Sequence, residues 1–478
     1  MYIRKIMVFF SVVLFLGDVK TINEQRILGV YQDLEASKIE DLAMKITVVG
    51  TGYVGLVSGV CFSDFGFNVI CIDNNVSKIE ELKKGVVPIY EDGLEKLMGK
   101  NMRAGRLSFA SDVAAGVKDA DLVFIAVGTP SKSDGSADLS YVYSAVSTLA
   151  PHLNKHATLV IKSTVPVGTT RAVKKFLLEN GWNIDIAFNP EFLREGAAVE
   201  DFLHPDRIIL GVESEKAEKA LARAYRPLYM LSVPILFTSL ETAEMSKYAA
   251  NAFLAMKVTF INEIANLCER CGGDIKEVAH AIGLDKRIGA QFLQAGPGYG
   301  GSCFPKDTSA LSDFAKKLGV DMPLVDETIK SNRARQNKMI KKIMNVCQND
   351  VKNKNISVLG VTFKANTDDM RDSPSIGIVN YLLENGANVK IYDPSFSKSA
   401  KSIFKDAEWS SGVYDNCNDA DLIVILTDWA EFKAINLKEL RRRVRNPLMV
   451  DLRSMYSPLE MKTSGFVYHS VGRPLLNE

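Results

Sequence analysis

Four glycines and a proline lead into a cysteine in the stretch Gly296-Pro-Gly-Tyr-Gly-Gly-Ser-Cys303-Phe-Pro-Lys-Asp307. A backbone with so little side-chain bulk can approach a ligand closely. A thiol at its end can be presented to that ligand as a nucleophile. The same residues also make a plain surface turn whose cysteine fills space. Upstream, Lys247 and Asn251 stand four residues apart in a helical pattern and so share one helix face. A fixed cation and an amide donor on one face suit developing negative charge on oxygen.

A second set of residues is spaced for a nucleotide. Lys45–Val49 is a short apolar strand, followed by Gly50-Thr-Gly52-Tyr53-Val54-Gly55, a helical stretch to Phe65, and a strand Asn68–Ile72 ending at Asp73. The glycine pattern alone is weak. Between strand and helix, with an acid closing the next strand, it is a dinucleotide signature. Gly50 permits the tight turn, Gly52 lets backbone N–H groups reach the pyrophosphate, and Gly55 allows close packing. The helix N-terminus favours the anion. Asp73 accepts from the ribose hydroxyls, which favours NAD over NADP.

These groups need a scaffold, and the chain repeats the units that make one. Apolar runs at Asp121–Val127, Thr158–Lys162 and Ile184–Phe188 read as parallel strands buried on both faces. Thr129, Thr164, Glu191 and Glu195 follow their carboxyl ends, where doubly wound sheets hold ligands. Glu241 to about Arg270 reads as one long helix. From Asn355 the alternation restarts, with strands at Ile356–Gly360, Asn388–Asp393, Asp421–Leu426 and Leu448–Asp451. Asn68-Val-Ile-Cys-Ile-Asp73 is echoed by Asn388-Val-Lys-Ile-Tyr-Asp393. The second set lacks the glycine signature, and Lys364 is available there for a phosphate. The expected fold is α/β: two Rossmann-like doubly wound domains joined by a central helical domain with a long helix. The boundaries are 44–240 for the NAD-binding domain, 241–347 for the central helical domain with the cysteine loop, and 348–478 for a second domain suited to another nucleotide-like group.

Composition limits the alternatives. The chain has 478 residues, 47% apolar and 24% charged, with a net charge of +1. That balance argues against a nucleic-acid binder. Seven cysteines do not make a disulfide framework, and a reducing compartment is expected. The five histidines lack metal-ligand spacing, so no metal is expected. Cys268-Glu-Arg-Cys271 lacks the context for a redox role. Lys5 precedes the apolar run Ile6–Gly17, which resembles a signal peptide, is short for a bilayer span, and has no small-residue cleavage site after it. Residues 21–43 read as a polar, partly helical spacer, and Met44 opens the first strand. Residues 1–43 are therefore expected to be a leader or non-native extension, the protein cytoplasmic, and stable membrane insertion absent.

From Met44 onward the chain resembles the UDP-glucose/GDP-mannose dehydrogenase family. The resemblance rests on Gly50-Thr-Gly-Tyr-Val-Gly-Leu56, Ser163-Thr-Val-Pro-Val-Gly168, Asn189-Pro-Glu-Phe-Leu-Arg-Glu-Gly196, the Gly296–Asp307 loop, and Phe363-Lys-Ala-Asn-Thr-Asp-Asp-Met-Arg371. It implies a four-electron oxidation of UDP-glucose to UDP-glucuronate with two NAD, through a Cys303 thiohemiacetal and thioester that is then hydrolysed. It further implies that Lys247 and Asn251 stabilise the oxyanion, Asp307 positions water, and Glu191 is the base, with Thr129 or Thr164 beside it. Asp73, Lys78, Thr129, Thr164, Glu195, Lys306 and Arg371 match cofactor positions. Phe192, Leu193, Arg194 and Glu195 match substrate positions, as do Phe292, Leu293, Gly296, Tyr299, Gly300, Lys364 and Arg453. Arg287 resembles an arginine that reaches the neighbouring subunit's substrate, which implies a homodimer. The family commonly reads Asp-Gly-Arg where this chain has Asp451-Leu-Arg453. Alternative readings are a relative acting on UDP-N-acetylmannosamine or GDP-mannose, and a non-catalytic nucleotide-sugar sensor.

Overall fold

Short apolar runs alternating with helices are satisfied when parallel strands pack side by side and helices cover both faces. A computed structural model describes residues 19–36 and 44–474. The chain divides into two units: one comprises 44–88, 92–129 and 138–247 together with 19–36, and the other comprises 89–91, 130–137 and 248–474 of the described residues. The Ile6–Gly17 apolar run lies outside the described residues.

The first unit is built on strands β1 (Lys45–Val49), β2 (Asn68–Ile72), β3 (Leu107–Ala110), β4 (Leu122–Ile125), β5 (Thr158–Ile161), β6 (Asp185–Phe188), β7 (Ile208–Gly211) and β8 (Ile235–Thr238). Their order is β3-β2-β1-β4-β5-β6-β7-β8, parallel except at β6–β7. Lys45 stands opposite Asn68 on β2, and Ile46 opposite Leu122 on β4. The order reverses between β1 and β4, which opens a crevice at their carboxyl ends. Every residue of β4 and β5 is buried. At roughly 1.5–3 kcal/mol per buried aliphatic side chain, these strands anchor the unit.

Helix α1 (Val19–Ala36) is no loose spacer. Its Asn23 side chain pairs with the sheet's edge strand, donating to the Ile235 carbonyl at 2.9 Å and accepting from the Phe237 N–H at 3.1 Å. Arg26 pairs with Glu218, and the Tyr31 ring stacks on Tyr229 at 3.9 Å. Helices α2 (Tyr53–Asp64), α3 (Thr169–Glu179) and α4 (Glu215–Met230) belong to the same unit. Helix α5 (Leu240–Cys271) begins there, and its residues from Tyr248 onward belong to the second unit.

The second unit contains α6 (Phe304–Lys317), α7 (Pro323–Val346), α8 (Pro374–Glu384) and a sheet of six parallel strands. These are β9 (Asn355–Leu359), β10 (Asn388–Tyr392), β11 (Glu408–Trp409), β12 (Leu422–Ile425), β13 (Leu448–Asp451) and β14 (Val467–Ser470), in the order β11-β10-β9-β12-β13-β14. The sheet again reverses direction of growth beside its first strand. The sequence shows every inner strand of both sheets except β7. It passes over the edge strands β3, β8, β11 and β14, whose exposed positions break the apolar run. Among the described residues, no helix is long and apolar enough to cross a membrane.

Candidate active site

The glycine signature forms the turn between β1 and α2. Gly50 has φ +95°, and its N–H donates to the Ile72 carbonyl at 2.7 Å. Gly52 is the N-cap of α2, and a Cβ there would meet nothing within 4 Å. The turn therefore has open space directly above a helix N-terminus, where an anion is favoured. Asp73 closes β2 and accepts from the Thr51 N–H at 2.8 Å and its hydroxyl at 2.7 Å. Burial alone would raise its pKa, but the Asn75 N–H, Thr51 and the Lys78 ammonium 3.6 Å away hold it below the usual carboxylate value. Tyr53 accepts from the Gly196 N–H, tying the glycine turn to the 189–196 loop. Thr129 donates to the Thr164 carbonyl at 2.8 Å.

Glu191 and Lys247 meet although 56 residues separate them. The Lys247 ammonium donates to Glu191 Oε1 at 3.0 Å and to the Glu191 carbonyl at 2.6 Å. Glu191 Oε2 accepts from the Leu193 N–H at 2.7 Å. Burial opposes ionisation of Glu191, yet Lys247, the Leu193 N–H and the more distant Lys162 outweigh it and keep the carboxylate charged. Phe192 lies under two cations, with Arg207 3.6 Å and Lys247 5.1 Å from its ring centre. Arg194 is turned onto Asp201, and Glu195 is half-buried in the same loop.

In the second unit, Cys303 is the half-buried N-cap of α6, with its sulfur 3.4 Å from the Ser302 hydroxyl. A helix N-terminus stabilises a thiolate. One turn along, Asp307 is 1% exposed, accepts from Asn251 at 2.6 Å and from Lys306 at 2.5 Å. Asn251 and Asp307 are also 56 residues apart in sequence. Phe292 has φ +64° and packs near Phe304, as does the buried Tyr299. Leu293 is buried in the core beside β9. The Lys364 ammonium lies 5.4 Å from the Phe363 ring centre. Arg453 donates to the carbonyls of Leu426 and Phe363 at 2.8 and 2.9 Å, so Leu452, itself buried, does not displace it from the β12–β13 ends. Arg371 is held by Asp369, and Arg287 by Asp285 at an exposed turn.

Three family models match this chain: the UDP-glucose/GDP-mannose dehydrogenase NAD binding domain over residues 44–229, the central domain over 241–334, and the UDP binding domain over 357–458. The chain belongs to the UDP-glucose/GDP-mannose dehydrogenase family. It is 49% identical to a UDP-glucose 6-dehydrogenase of Rhizobium meliloti, across 90% of this chain and 100% of the relative. It is 45% identical to UDP-glucose 6-dehydrogenase TuaD of Bacillus subtilis, across 90% and 93%. Among solved structures, a UDP-glucose dehydrogenase from Pyrobaculum islandicum superposes with a TM-score of 0.84 at 36% identity, covering 91% of this chain and 99% of that one. A UDP-D-ManNAc dehydrogenase from Pyrococcus horikoshii gives 0.79 at 28% identity, covering 90% and 99%.

The residues present fit the family's cofactor. The missing Cβ of Gly52 leaves a cradle at the α2 N-terminus, and Asp73 stands charged beside it. Several supporting residues escaped the sequence reading. Lys162 is buried, donates at 3.0 Å to Asn189 at the start of the 189–196 loop, and has its pKa pushed down to about 8 by burial against the opposing pull of Glu191. A lysine closing a strand buried on both faces was the available signal. Glu244 is fully buried and accepts from the Gly168 and Thr170 N–H groups at 2.6 and 2.8 Å, tying the Thr164 loop to the helix of Lys247. The glycines of the cysteine loop also have protein neighbours: a Cβ on Gly300 would lie 2.2 Å from the Asp372 carbonyl, and one on Gly301 2.7 Å from the Phe363 ring.

Proposed function

We propose that this family member oxidises C6 of UDP-glucose to the carboxylate of UDP-glucuronate, using two NAD and one water per turnover. The half-buried Cys303 at a helix N-terminus, with the buried Asn251–Asp307 pair beginning one turn along, carries the mechanistic reading. The named relatives support the sugar. Bound NAD would supply the hydride acceptor for both oxidations. Cys303 adds to the C6 aldehyde as a thiolate and holds the carbon as a thiohemiacetal, then as a thioester. Lys247 and Asn251 stabilise the negative oxygen of each tetrahedral species. Asp307 orients the water whose attack releases the acid and returns the thiolate. Glu191, kept ionised by Lys247, accepts a proton from that water, with Thr129 and Thr164 in the relay. Lys364 and Arg453 are assigned to the UDP moiety, and Asp73 and Lys78 to the cofactor.

We assign a homodimer to the exposed face of α5. Phe253, Phe260 and Leu267 recur every seven residues and are 57%, 50% and 61% exposed, an apolar stripe a second copy would cover. Arg287 then serves the partner's substrate. We place the protein in the cytoplasm, the compartment that holds the NAD it would use.

The test is a substrate panel with the Cys303→Ala variant alongside. The wild type should reduce two NAD per UDP-glucose and release UDP-glucuronate. Cys303→Ala should bind both ligands without turning over. Sustained turnover by Cys303→Ala would refute the thioester route, and faster oxidation of GDP-mannose or UDP-N-acetylmannosamine would reassign the substrate.

A further inference from the structure

Within the second unit, the backbone that leads to Cys303 is gripped by side chains that no part of the reaction scheme uses. Asn332 on α7 binds Tyr299 twice: its Oδ1 accepts from the Tyr299 N–H at 2.9 Å, and its Nδ2 donates to the Tyr299 carbonyl at 3.0 Å. That pairing imitates a β-ladder and fixes register, because a one-residue slip would break both bonds. Arg335, on the same face of α7, donates through Nε to the Gly296 carbonyl at 2.9 Å. Asn262 on α5 accepts from the Gly296 N–H at 2.8 Å. Both backbone groups of Gly296 and both of Tyr299 are thus held by side chains.

The grip has costs that a simple filler would not carry. Arg335 is 3% exposed, and its other bonds go to the Asn262 carbonyl and Asn266 rather than to a carboxylate. Burying a guanidinium without a carboxylate against it is unfavourable, and apolar side chains of similar volume commonly serve stability as well. Gly298 has φ +121°, and a Cβ there would stand 2.8 Å from Asn332 Oδ1. That glycine makes room for the clamp. Gly301, two residues before Cys303, is held from the other side by the Arg371 carbonyl at 2.8 Å.

We propose that Asn332, Arg335 and Asn262 are positioning residues that fix the path of Gly296–Gly301 and thereby the placement of the Cys303 sulfur. The proposal rests on the reading of Cys303 as nucleophile. A displacement of about 1 Å at a reacting atom slows chemistry by roughly 100-fold, so the clamp acts on turnover more than on ground-state binding.

The test compares Asn332→Ala, Asn332→Asp and Arg335→Lys in the full chain, with thermal unfolding recorded for each. For Asn332→Ala and Arg335→Lys, kcat should fall roughly 10–100-fold while KM for UDP-glucose rises by less than about threefold. NAD affinity should not change. Asn332→Asp keeps the acceptor for the Tyr299 N–H but sets a carboxylate oxygen against the Tyr299 carbonyl, so its kcat should stay as low as that of Asn332→Ala. Wild-type kcat in folded Asn332→Ala or Asn332→Asp would overturn the proposal, as would a KM rise alone or a loss matching the folded fraction. Failure of the nucleophile reading is separately visible as turnover by Cys303→Ala.

Discussion

The two sheets begin with the same piece of geometry and use it differently. Gly50 and Gly360 both follow the first strand of their sheet, both have positive φ, and both donate to the last residue of the neighbouring strand, at 2.7 and 2.8 Å. Asp73 and Asp393 close those neighbouring strands. Each accepts from the residues after its glycine through Oδ2, and from the residue two places beyond itself through Oδ1. The difference is the position two after the glycine. Gly52 leaves open space there, whereas Thr362 fills it and turns its hydroxyl to the Lys364 carbonyl at 3.0 Å and to Asp393 at 3.4 Å. Asp73 keeps 15% of its side chain exposed, and Asp393 is 1% exposed. One carboxylate has capacity left for a ligand, and the other is consumed in holding its own turn. An acid at the end of a second strand is therefore a ligand group only when the turn above it stays open.

The largest effect should come from Asp393→Ala. It strips the partners from the buried Val361 and Thr362 N–H groups, which water cannot easily reach. Unsatisfied buried donors at about 1–3 kcal/mol each put the loss near 3 kcal/mol. Denaturant unfolding of the purified protein should show it, with NAD affinity unchanged. A weakened NAD Kd with intact stability would reverse the assignment of the two acids.

Asp73→Ala should do the opposite. Losing charge-assisted bonds to the ribose, each about 1.5–3 kcal/mol, raises the NAD Kd by roughly tenfold or more. Water can enter the half-open site, so stability should fall less than in Asp393→Ala. Titration calorimetry with NAD decides this, and equal affinity in Asp73→Ala would remove Asp73 from the cofactor site.

A third comparison uses the glycines. Gly360→Ala forces a residue at φ +77° and sets its Cβ 2.6 Å from Thr427, so a loss of about 1–2 kcal/mol is expected from the backbone alone. Gly52→Ala meets no atom and has φ −68°, so the fold should tolerate it within about 0.5 kcal/mol. Its methyl occupies the cradle and should weaken NAD binding. Unfolding midpoints and NAD titrations of the pair read both effects, and a destabilised Gly52→Ala with normal NAD affinity would contradict the open-cradle account.

This contrast marks where the sequence stops being informative. The repeat Asn-Val-x-x-x-Asp announced both second strands, and the glycine spacing announced the first turn. The residues beside Asp73 and Asp393 do not distinguish them; the distinction is written upstream, in Gly52 against Thr362, and its effect on burial shows only when the turn is folded over the acid. The same limit hid the partnerships of Glu191 with Lys247 and Asn251 with Asp307. Their residue types were legible, but a separation of 56 residues has no period to reveal it. Helix α1 was read as a spacer for a related reason: its attachment runs through Asn23, Arg26 and Tyr31, polar or amphipathic residues whose partners lie some 190–215 positions away.

The smallest effect concerns acid. Asp73 has a depressed pKa, because its hydrogen bonds and Lys78 outweigh burial. Its folded state binds the proton less readily than the unfolded chain. Its contribution is complete above the unfolded value of about 3.9 and is lost as pH falls through the lower folded value. Asp451, at the end of β13, is raised instead, since burial outweighs its bonds from Tyr468, Arg453 and Met455. There the folded state holds the proton more tightly, so stability falls as pH rises from about 3.9 to the folded value. The two sheets therefore carry acids of opposite slope. Asp73→Asn should flatten stability on the acid side of 3.9, and Asp451→Asn should flatten the opposing slope above it. Urea midpoints between about pH 2 and pH 7 for the two variants provide the measurement, and slopes of the same sign would show that the acids at the ends of β2 and β13 do not differ electrostatically.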